Sequence, residues 1–166
     1  SNGTLTVEAG STVYFSTQPD PAVASRLMIA RGSRLVAEGT AQNPIVFTSD
    51  KVLKGETPQP GDWGGILLFG SAPTNQGASI LEFGFQYGGS QQNANSGRIR
   101  FARIEYSGKN GFHALHLLGV GSGTLVENVQ AYRPLNIGFR LKGGNVNLRR
   151  IAALGHGGYG IWAEHG

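Results

Sequence analysis

Residues 114–117 (ALHL), 138–141 (GFRL) and 160–163 (GIWA) repeat one short pattern at offsets of 24 and 22 residues. Residues 126–129 (VENV) and 148–151 (LRRI) follow the same spacing, 22 apart. Near the start of the chain, residues 5–11 match residues 27–33, again at an offset of 22. Coils of 22–25 residues, each with short strands between Gly or Asn turns, are typical of a β-solenoid.

The composition favours the same class. Hydrophobic residues make up 39% of the 166 residues and charged residues only 14%, and there are 27 glycines and no cysteine. No stretch of a dozen residues keeps apolar positions at helical spacing without Gly or Pro, so long helices are not expected. Many short runs of Val, Ile, Leu and Phe instead predict β-structure with frequent turns.

Alternation along the repeated strands predicts which side chains face the core. We expect inward columns formed by Leu115 and Leu117, Phe139 and Leu141, and Ile161 and Ala163. A second wall is expected from Val126, Val129, Leu148 and Ile151, with Phe101 and Ile104 one coil earlier. Because a single coil cannot bury its own apolar side, only a stack of coils forms a continuous core.

Two segments interrupt the repeat. Residues 50–62 and residues 84–97, the second with Gly88-Gly89-Ser90 followed by a polar run, are both predicted to be loops extruded from the solenoid. No composition shift marks a domain boundary, so residues 1–166 are expected to form a single domain.

Several blocks resemble right-handed parallel β-helix proteins of bacterial surfaces, which are secreted proteins and lipoproteins of Bacteroidetes and related bacteria. The blocks are residues 39–49 (GTAQNPIVFTS), 61–66 (GDWGGI), 103–108 (RIEYSG) and 119–124 (GVGSGT). The resemblance implies an all-β, right-handed parallel β-helix located outside the cell or on its surface. Since such relatives extend beyond both ends of this stretch, it also implies a segment of a longer solenoid. It implies no particular activity.

The block Gly61-Asp62-Trp63-Gly64-Gly65 allows two interpretations. Asp62 and Trp63 are either a carboxylate beside an aromatic sugar platform, or a structural element in which Asp62 accepts from turn amides and Trp63 covers the core. Glycine on both sides indicates a tight backbone position and favours the structural interpretation.

An outward column is the main candidate binding site. If Leu115, Phe139 and Ile161 face inward, then His116, Arg140 and Trp162 stack outward in successive coils, about 4.8 Å apart. Lys142 belongs to the next outward column, with Leu118 and Glu164. Such a ladder suits an extended anionic polysaccharide, with the indole on a sugar ring and the guanidinium on a carboxylate or sulfate. Alternatively, Arg140 simply stacks on Trp162.

Positive charge is concentrated in the second half of the chain. Residues 98–166 carry nine Lys or Arg against three acidic residues, whereas residues 1–97 carry five against seven. On another face, ladders of Ala102, Glu127 and Arg149 and of Arg103, Asn128 and Arg150 are expected, with an ion pair between Glu127 and Arg149. This excess suits an anionic partner and equally suits a solvated surface.

Neither a metal nor a cofactor is expected. His113 and His116 are predicted to lie on opposite faces of a strand, and the chain has only three aspartates. Glycoside hydrolysis needs two carboxylates that flank one bond, and Glu105 and Glu127 do not share a column. No nucleophile elbow, phosphate loop or dinucleotide fingerprint occurs in the sequence, and no recognised nucleic-acid-binding module occurs either.

Three functions remain open from the sequence. The first is a non-catalytic extracellular module for adhesion or scaffolding, with an acidic polysaccharide as candidate ligand. The second is a fragment of a polysaccharide lyase or glycoside hydrolase. The third is a structural rod that associates end to end through unpaired strand edges. No membrane-spanning run is present, because no apolar stretch approaches about 18 residues.

Overall fold

The computed structural model describes residues 2–166 and is almost entirely β-structure. The chain winds so that strands of successive coils pair in parallel. One sheet, called wall 1 here, has the strand order β15-β12-β10-β6-β3. Its members are β3 (Arg26–Ile29), β6 (Gly65–Phe69), β10 (Leu115–Val120), β12 (Phe139–Gly144) and β15 (Ile161–Glu164).

The second, larger sheet is bent into two walls. Wall 2 has the order β1-β4-β9-β11-β13. In wall 3, β5 pairs with the second half of β9, β14 pairs with the second half of β11, and β2 pairs with β5. The bounds are β1 (Thr4–Val7), β2 (Thr12–Phe15), β4 (Arg34–Glu38), β5 (Ile45–Ser49), β9 (Gly97–Glu105), β11 (Leu125–Tyr132), β13 (Asn147–Arg149) and β14 (Ala152–Leu154).

A single residue makes the bend between walls 2 and 3 in each of the last three coils. Phe101, Asn128 and Arg150 occupy equivalent positions and have φ values of 44°, 54° and 49°. Asparagine adopts this left-handed conformation more readily than most residues, whereas a bulky aromatic residue rarely does. The bend turns the chain around the core, and the parallel pairing skips the bend residue and resumes in the same register on its other side.

The core lies between the three walls and contains the predicted inward columns. Leu115 pairs with Phe139, and Phe139 pairs with Ile161, in parallel register. Leu115 and Phe139 are fully buried, whereas Ile161 is 55% exposed because it belongs to the last coil. The prediction of an all-β parallel β-helix is confirmed. Parallel crossovers are right-handed in nearly all proteins, which is the hand that the resemblance implies.

The predicted second wall is confirmed except at one residue. Val126, Val129 and Ile104 are buried in the core, and Leu148 and Ile151 pack against it. Phe101 was predicted to face inward and does not, because it forms the bend. Its neighbours Ile99 and Ala102 take the inward positions. The expected outward ladders through Ala102 and Arg103 are therefore wrong as well. Arg100 lies beside Glu127 in place of Ala102, and Arg103 pairs with Gln130 and not with Asn128.

The match between residues 5–11 and 27–33 does not reflect the coil repeat. Thr4 of β1 pairs with Arg34, an offset of 30, whereas Arg26 of β3 pairs with Gly65 in wall 1. Both segments consist of a strand, a Gly-Ser turn and another strand. They look alike because each turns one corner of the solenoid, but they turn different corners.

Both interruptions of the repeat contain secondary structure. Residues 50–62 begin with a short helix, α1 (Asp50–Leu53), whose N-cap Ser49 accepts a hydrogen bond from the backbone of Lys51. The second insertion is wider than the predicted residues 84–97. It starts after β6 and carries an antiparallel hairpin of β7 (Ile80–Glu82) and β8 (Phe85–Tyr87), and Gly97 already belongs to β9.

The hairpin turns at Phe83 and Gly84, whose φ values are 53° and 81°. Two consecutive positive φ values are the feature of a type I′ turn, which matches the twist of two-stranded hairpins. Within residues 2–166, no helix has the length and apolar character needed to cross a membrane.

Candidate functional site: a covered charged column and an open arginine face

The predicted column forms in the expected register. His116 pairs with Arg140 and Arg140 with Trp162 in parallel along wall 1. Lys142 follows Arg140 by two positions on β12 and pairs with Leu118 and Glu164 of the neighbouring strands. All these side chains leave wall 1 on the side opposite the core, as alternation along a strand requires.

The hairpin covers this column, so the expectation of an open surface ladder is wrong at His116. That residue is fully buried. The rings of Phe83 and Phe112 meet it edge-on at centroid distances of 5.9 and 6.0 Å. Phe85 of the hairpin stacks on Phe69 of wall 1, 5.3 Å away.

Beneath the hairpin lies a second hydrophobic cluster, separate from the core. Its buried members are Ala24, Leu67, Phe69, Tyr87, Phe112 and Leu118, with Met28 and Ile80 packed against them. The outer side of wall 1 is therefore apolar at its centre. The hairpin removes this apolar surface from water, which stabilises the closed arrangement.

The positive charges of the column are neutralised within the chain. Glu82 of β7 accepts from Nη1 of Arg140 at 2.7 Å through Oε1 and binds Nζ of Lys142 through Oε2. Glu164 accepts from Nε and Nη2 of Arg140 at 2.8 and 2.5 Å. All four side chains are only 12–18% exposed. Two cations thus meet two carboxylates in a partly dehydrated setting.

Trp162 is the part of the column that solvent reaches, with 39% of its surface exposed. The guanidinium carbon of Arg140 lies 5.2 Å from the centroid of its ring. This is the cation–π contact considered as the alternative to ligand binding, and it contributes about 0.5–1 kcal/mol at an exposed site.

His113 and His116 lie together, although the sequence predicted opposite faces. Their rings stack at 4.5 Å with an interplanar angle of 11°, and the His113 backbone N–H donates to Nε2 of His116 at 2.8 Å. The prediction was wrong because His113 precedes β10, so strand alternation does not apply to it. Among residues 2–166, no group of three or more His, Asp or Glu side chains is arranged to hold a metal ion.

Both imidazoles are held neutral at pH 7. Burial, and after it the charge of Arg140, lowers the pKa of His113 to about 4. Burial, then the neighbouring His113, lowers the pKa of His116 well below its ordinary value. Neither Nδ1 atom has a hydrogen-bond partner. Phe83 of the hairpin contributes to this burial at His116.

The Gly-Asp-Trp-Gly-Gly block makes structural contacts. Asp62 accepts from the backbone of Gln59 at 2.9 Å and from Nζ of Lys51 at 2.7 Å. Trp63 is fully buried, stacks on Phe15 at 3.9 Å, and donates from Nε1 to the carbonyl of Glu105 at 2.7 Å. The alternative of an accessible sugar platform does not fit an indole that solvent does not reach.

A second charged surface surrounds the bend between walls 2 and 3 and is open to solvent. We call it the arginine face, and its members are Arg98, Arg100, Arg103, Arg149 and Arg150. The exposed fractions of Arg98, Arg100, Arg103 and Arg150 are 52%, 35%, 43% and 67%.

Three glutamates are interspersed on this face. Arg98 binds Glu38 through Nε at 3.0 Å, and Arg103 binds Glu105 through Nη2 at 2.9 Å. Glu127 lies between Arg100, whose Nε is 3.2 Å away, and Nη2 of Arg150. The expected pair of Glu127 with Arg149 has the right register, but the contacts are made by Arg100 and Arg150. Five arginines face three carboxylates.

Glu82 and Phe83 are the site residues that sequence reasoning missed. In the segment Ile80–Tyr87, two short apolar-rich strands flank a Phe-Gly pair, which is a hairpin pattern with an unusual turn residue. A search for Asn-Gly or Asp-Gly turns passes over it. The predicted loop began two residues too late to include Glu82.

Fold and surface together define a parallel β-helix protein with one covered and one open charged face. The family model described as pectate-lyase like beta helix domain matches residues 1–158, and the chain belongs to this family. No curated protein and no solved structure matched the chain. The family membership supports the β-helix part of the resemblance, while a bacterial surface origin stays a prediction.

Proposed function

We propose that this chain is a non-catalytic β-helix module that works outside the cell and holds an acidic polysaccharide on its arginine face. One observation carries the proposal, namely the five arginines against three carboxylates on a single solvent-exposed surface. The extracellular location rests on the resemblance to secreted β-helix proteins.

The chemistry of arginine supports an anionic sugar as ligand. A guanidinium has five N–H donors in a planar fork that matches a carboxylate or sulfate in two-point contact. On the arginine face, Arg98 and Arg103 each bind a glutamate with only part of their donor groups. Arg149 lies exposed at the end of β13. Successive strands, about 4.8 Å apart, present these groups on a rigid lattice suited to an extended chain.

The state of the covered column supports a module without catalysis. Arg140 and Lys142 are the cations best placed to act on a uronate, yet Glu82 binds both of them and the hairpin buries His116 beside them. A catalytic group has to reach the reacting atoms. In the closed arrangement, Trp162 is the one member of the predicted site with a substantially exposed surface.

A polysaccharide lyase fragment is the second candidate, and the family description favours it. Incubation with polygalacturonate separates the two, because elimination produces unsaturated uronates whose ultraviolet absorbance grows with time. Growth of this absorbance contradicts the non-catalytic proposal. End-to-end association remains a further prediction, and sedimentation that shows only monomers at high concentration contradicts it.

The binding experiment compares polygalacturonate with its methyl ester, which removes the charge and keeps the backbone. We expect wild-type protein to bind the acid form and the double variant Arg98→Ala/Arg150→Ala to bind it about tenfold more weakly, as loss of two charge-assisted contacts predicts. Lys54→Ala/Arg133→Ala removes equal charge elsewhere and serves as the matched control. Equal binding of the methyl ester, or equal loss in the control, contradicts the proposal.

A further inference from the structure

The carboxylate of Glu82 is bound in the way an external ligand would be. Its two oxygens are divided between two cations of one strand, with Oε1 on Nη1 of Arg140 at 2.7 Å and Oε2 on Nζ of Lys142. Arg140 and Lys142 stand two residues apart on β12 and therefore leave the same side of wall 1. The indole of Trp162 lies beside them, with its ring centroid 5.2 Å from the Arg140 guanidinium carbon.

Glu82, which binds Arg140 and Lys142, belongs to the inserted hairpin and not to a coil of the solenoid. Coils that lack the insertion repeat every 22–24 residues, as in the steps from Leu115 to Phe139 and on to Ile161. The strands β7 and β8 pair with each other and with no strand of the three walls. The ladder of wall 1 is therefore complete without the hairpin.

Few polar contacts attach the hairpin to the body of the protein. At its base the Gly88 backbone N–H donates to the Gly70 carbonyl at 2.9 Å, and Arg31 donates to the Gly88 carbonyl at 3.0 Å and to the Gln86 side chain at 3.2 Å. Near its tip the attachment is Glu82 together with Phe83, which packs on Phe112 at 4.7 Å. The tip therefore depends on the ion pairs of Glu82 and on aromatic contacts, in which Phe83 also meets His116 and Phe85 stacks on Phe69.

We infer that Arg140 and Lys142 form a second carboxylate-binding site, which Glu82 occupies from within the chain, so that the hairpin competes with acidic ligands for it. The ligand class, a uronate-bearing sugar, rests on the proposed function. When the hairpin tip lifts, Lys142 and Nη1 of Arg140 are released, while Glu164 keeps its contacts with Nε and Nη2 of Arg140. Trp162 then offers its face to the sugar ring beside the bound carboxylate.

Competition of this kind sets the apparent affinity. A ligand that needs the open hairpin binds with an affinity reduced by the fraction of molecules that are open. Replacing Glu82 by Gln keeps the shape of the side chain and removes its charge. It therefore raises the open fraction and frees Lys142 and Nη1 of Arg140, while Glu164 still binds the rest of the Arg140 guanidinium. The closed chain therefore hides a site that a single neutralised side chain exposes.

The experiment uses the Arg98→Ala/Arg150→Ala chain, in which the arginine face is weakened, and oligogalacturonate as probe. Adding Glu82→Gln should tighten binding about tenfold, and adding Lys142→Met to that variant should abolish the gain. Glu56→Gln, which neutralises an exposed glutamate, is the matched control and should leave binding unchanged. An equal gain from Glu56→Gln, or none from Glu82→Gln, overturns the inference.

A second measurement needs no substitution. Hydrogen exchange of the amides of residues 80–87 in the wild-type chain should become faster when oligogalacturonate is added, and unchanged exchange counts against the inference. If wild type binds through the arginine face and Glu82→Gln adds nothing, only the inference falls. If Glu82→Gln binds and wild type does not, only the proposed function falls. If neither binds, both fall.

Discussion

The outer side of wall 1 and the arginine face both carry basic side chains paired with glutamates, but they differ in their exposure to solvent. On wall 1, Arg140 and Lys142 are 12% and 17% exposed, and Glu82 lies between them. On the arginine face, Arg98 and Arg150 are 52% and 67% exposed, although each also contacts a glutamate. The difference is the inserted hairpin, which covers one surface and leaves the other open.

This comparison teaches that the repeat positions the side chains while the insertion decides which of them meet solvent. Every strand of the solenoid presents alternate residues outward, so both faces inherit charged ladders. The hairpin adds one carboxylate and several aromatic side chains to one ladder alone. It turns a potential binding surface into part of a second buried cluster.

The largest expected effect is on stability at the covered face. Phe69→Ala removes a fully buried ring that packs under Phe85, and it should lower the free energy of unfolding by about 3–5 kcal/mol. Leu154→Ala, at a position 48% exposed, is the control and should stay within about 0.5 kcal/mol of wild type. Urea denaturation measures both. Equal losses would mean that the hairpin does not exclude water from wall 1.

The next effect compares arginines on the two faces. Arg140→Ala leaves Glu82 and Glu164 partly buried without their common partner, and we expect a loss of about 2–3 kcal/mol in unfolding free energy. Arg150→Ala removes an exposed partner of Glu127 and should cost less than about 1 kcal/mol. Similar values from thermal and urea unfolding would contradict the contrast between covered and open charges.

A smaller effect should appear as a dependence on pH. His113 and His116 have lowered pKa values in the folded chain, so the unfolded chain binds protons first as the pH falls. Their contribution to stability is complete above the ordinary pKa of 6.5 and declines as the pH falls towards about 4. Between pH 7 and pH 5 we expect His113 alone to lower the free energy of unfolding by about 2 kcal/mol, and His116 to add to this loss.

The control for this pH dependence is His113→Asn/His116→Asn, which cannot take up these protons. The double variant should show a flatter profile over the same interval, measured by urea unfolding at each pH. The same slope in wild type and variant would mean that the two imidazoles are hydrated, and hence that the hairpin does not seal them.

Much of the fold could be predicted because the repeat is visible in the sequence as regular spacing and alternation of apolar residues. The offsets from Leu115 to Phe139 and on to Ile161 gave the true register of wall 1. Val126 and Leu148 gave the register between β11 and β13 in wall 2, whereas the register between β9 and β11 was predicted two residues off. In a solenoid each coil contacts its neighbours in sequence, so alternation and spacing report on the long-range pairing itself.

The errors arose where that local rule does not hold. Phe101 was placed inward because it is apolar, but it occupies the left-handed bend. His113 was assigned by strand alternation although it lies before the strand begins. In both cases the backbone leaves the extended conformation, and the period of two that links sequence to side-chain direction is lost.

By itself, the sequence determined the parallel stack, most of the inward columns, and the coil length and register of the last coils, because these follow from periodicity along the chain. Only the tertiary structure decided that Glu82 reaches Arg140 across 58 residues, that His116 is buried, and that the arginine face stays open. Those outcomes depend on where a non-repeating hairpin comes to rest. Its position follows from the packing of its Tyr87 with Phe69 and Leu118 of wall 1, a contact that no period in the sequence encodes.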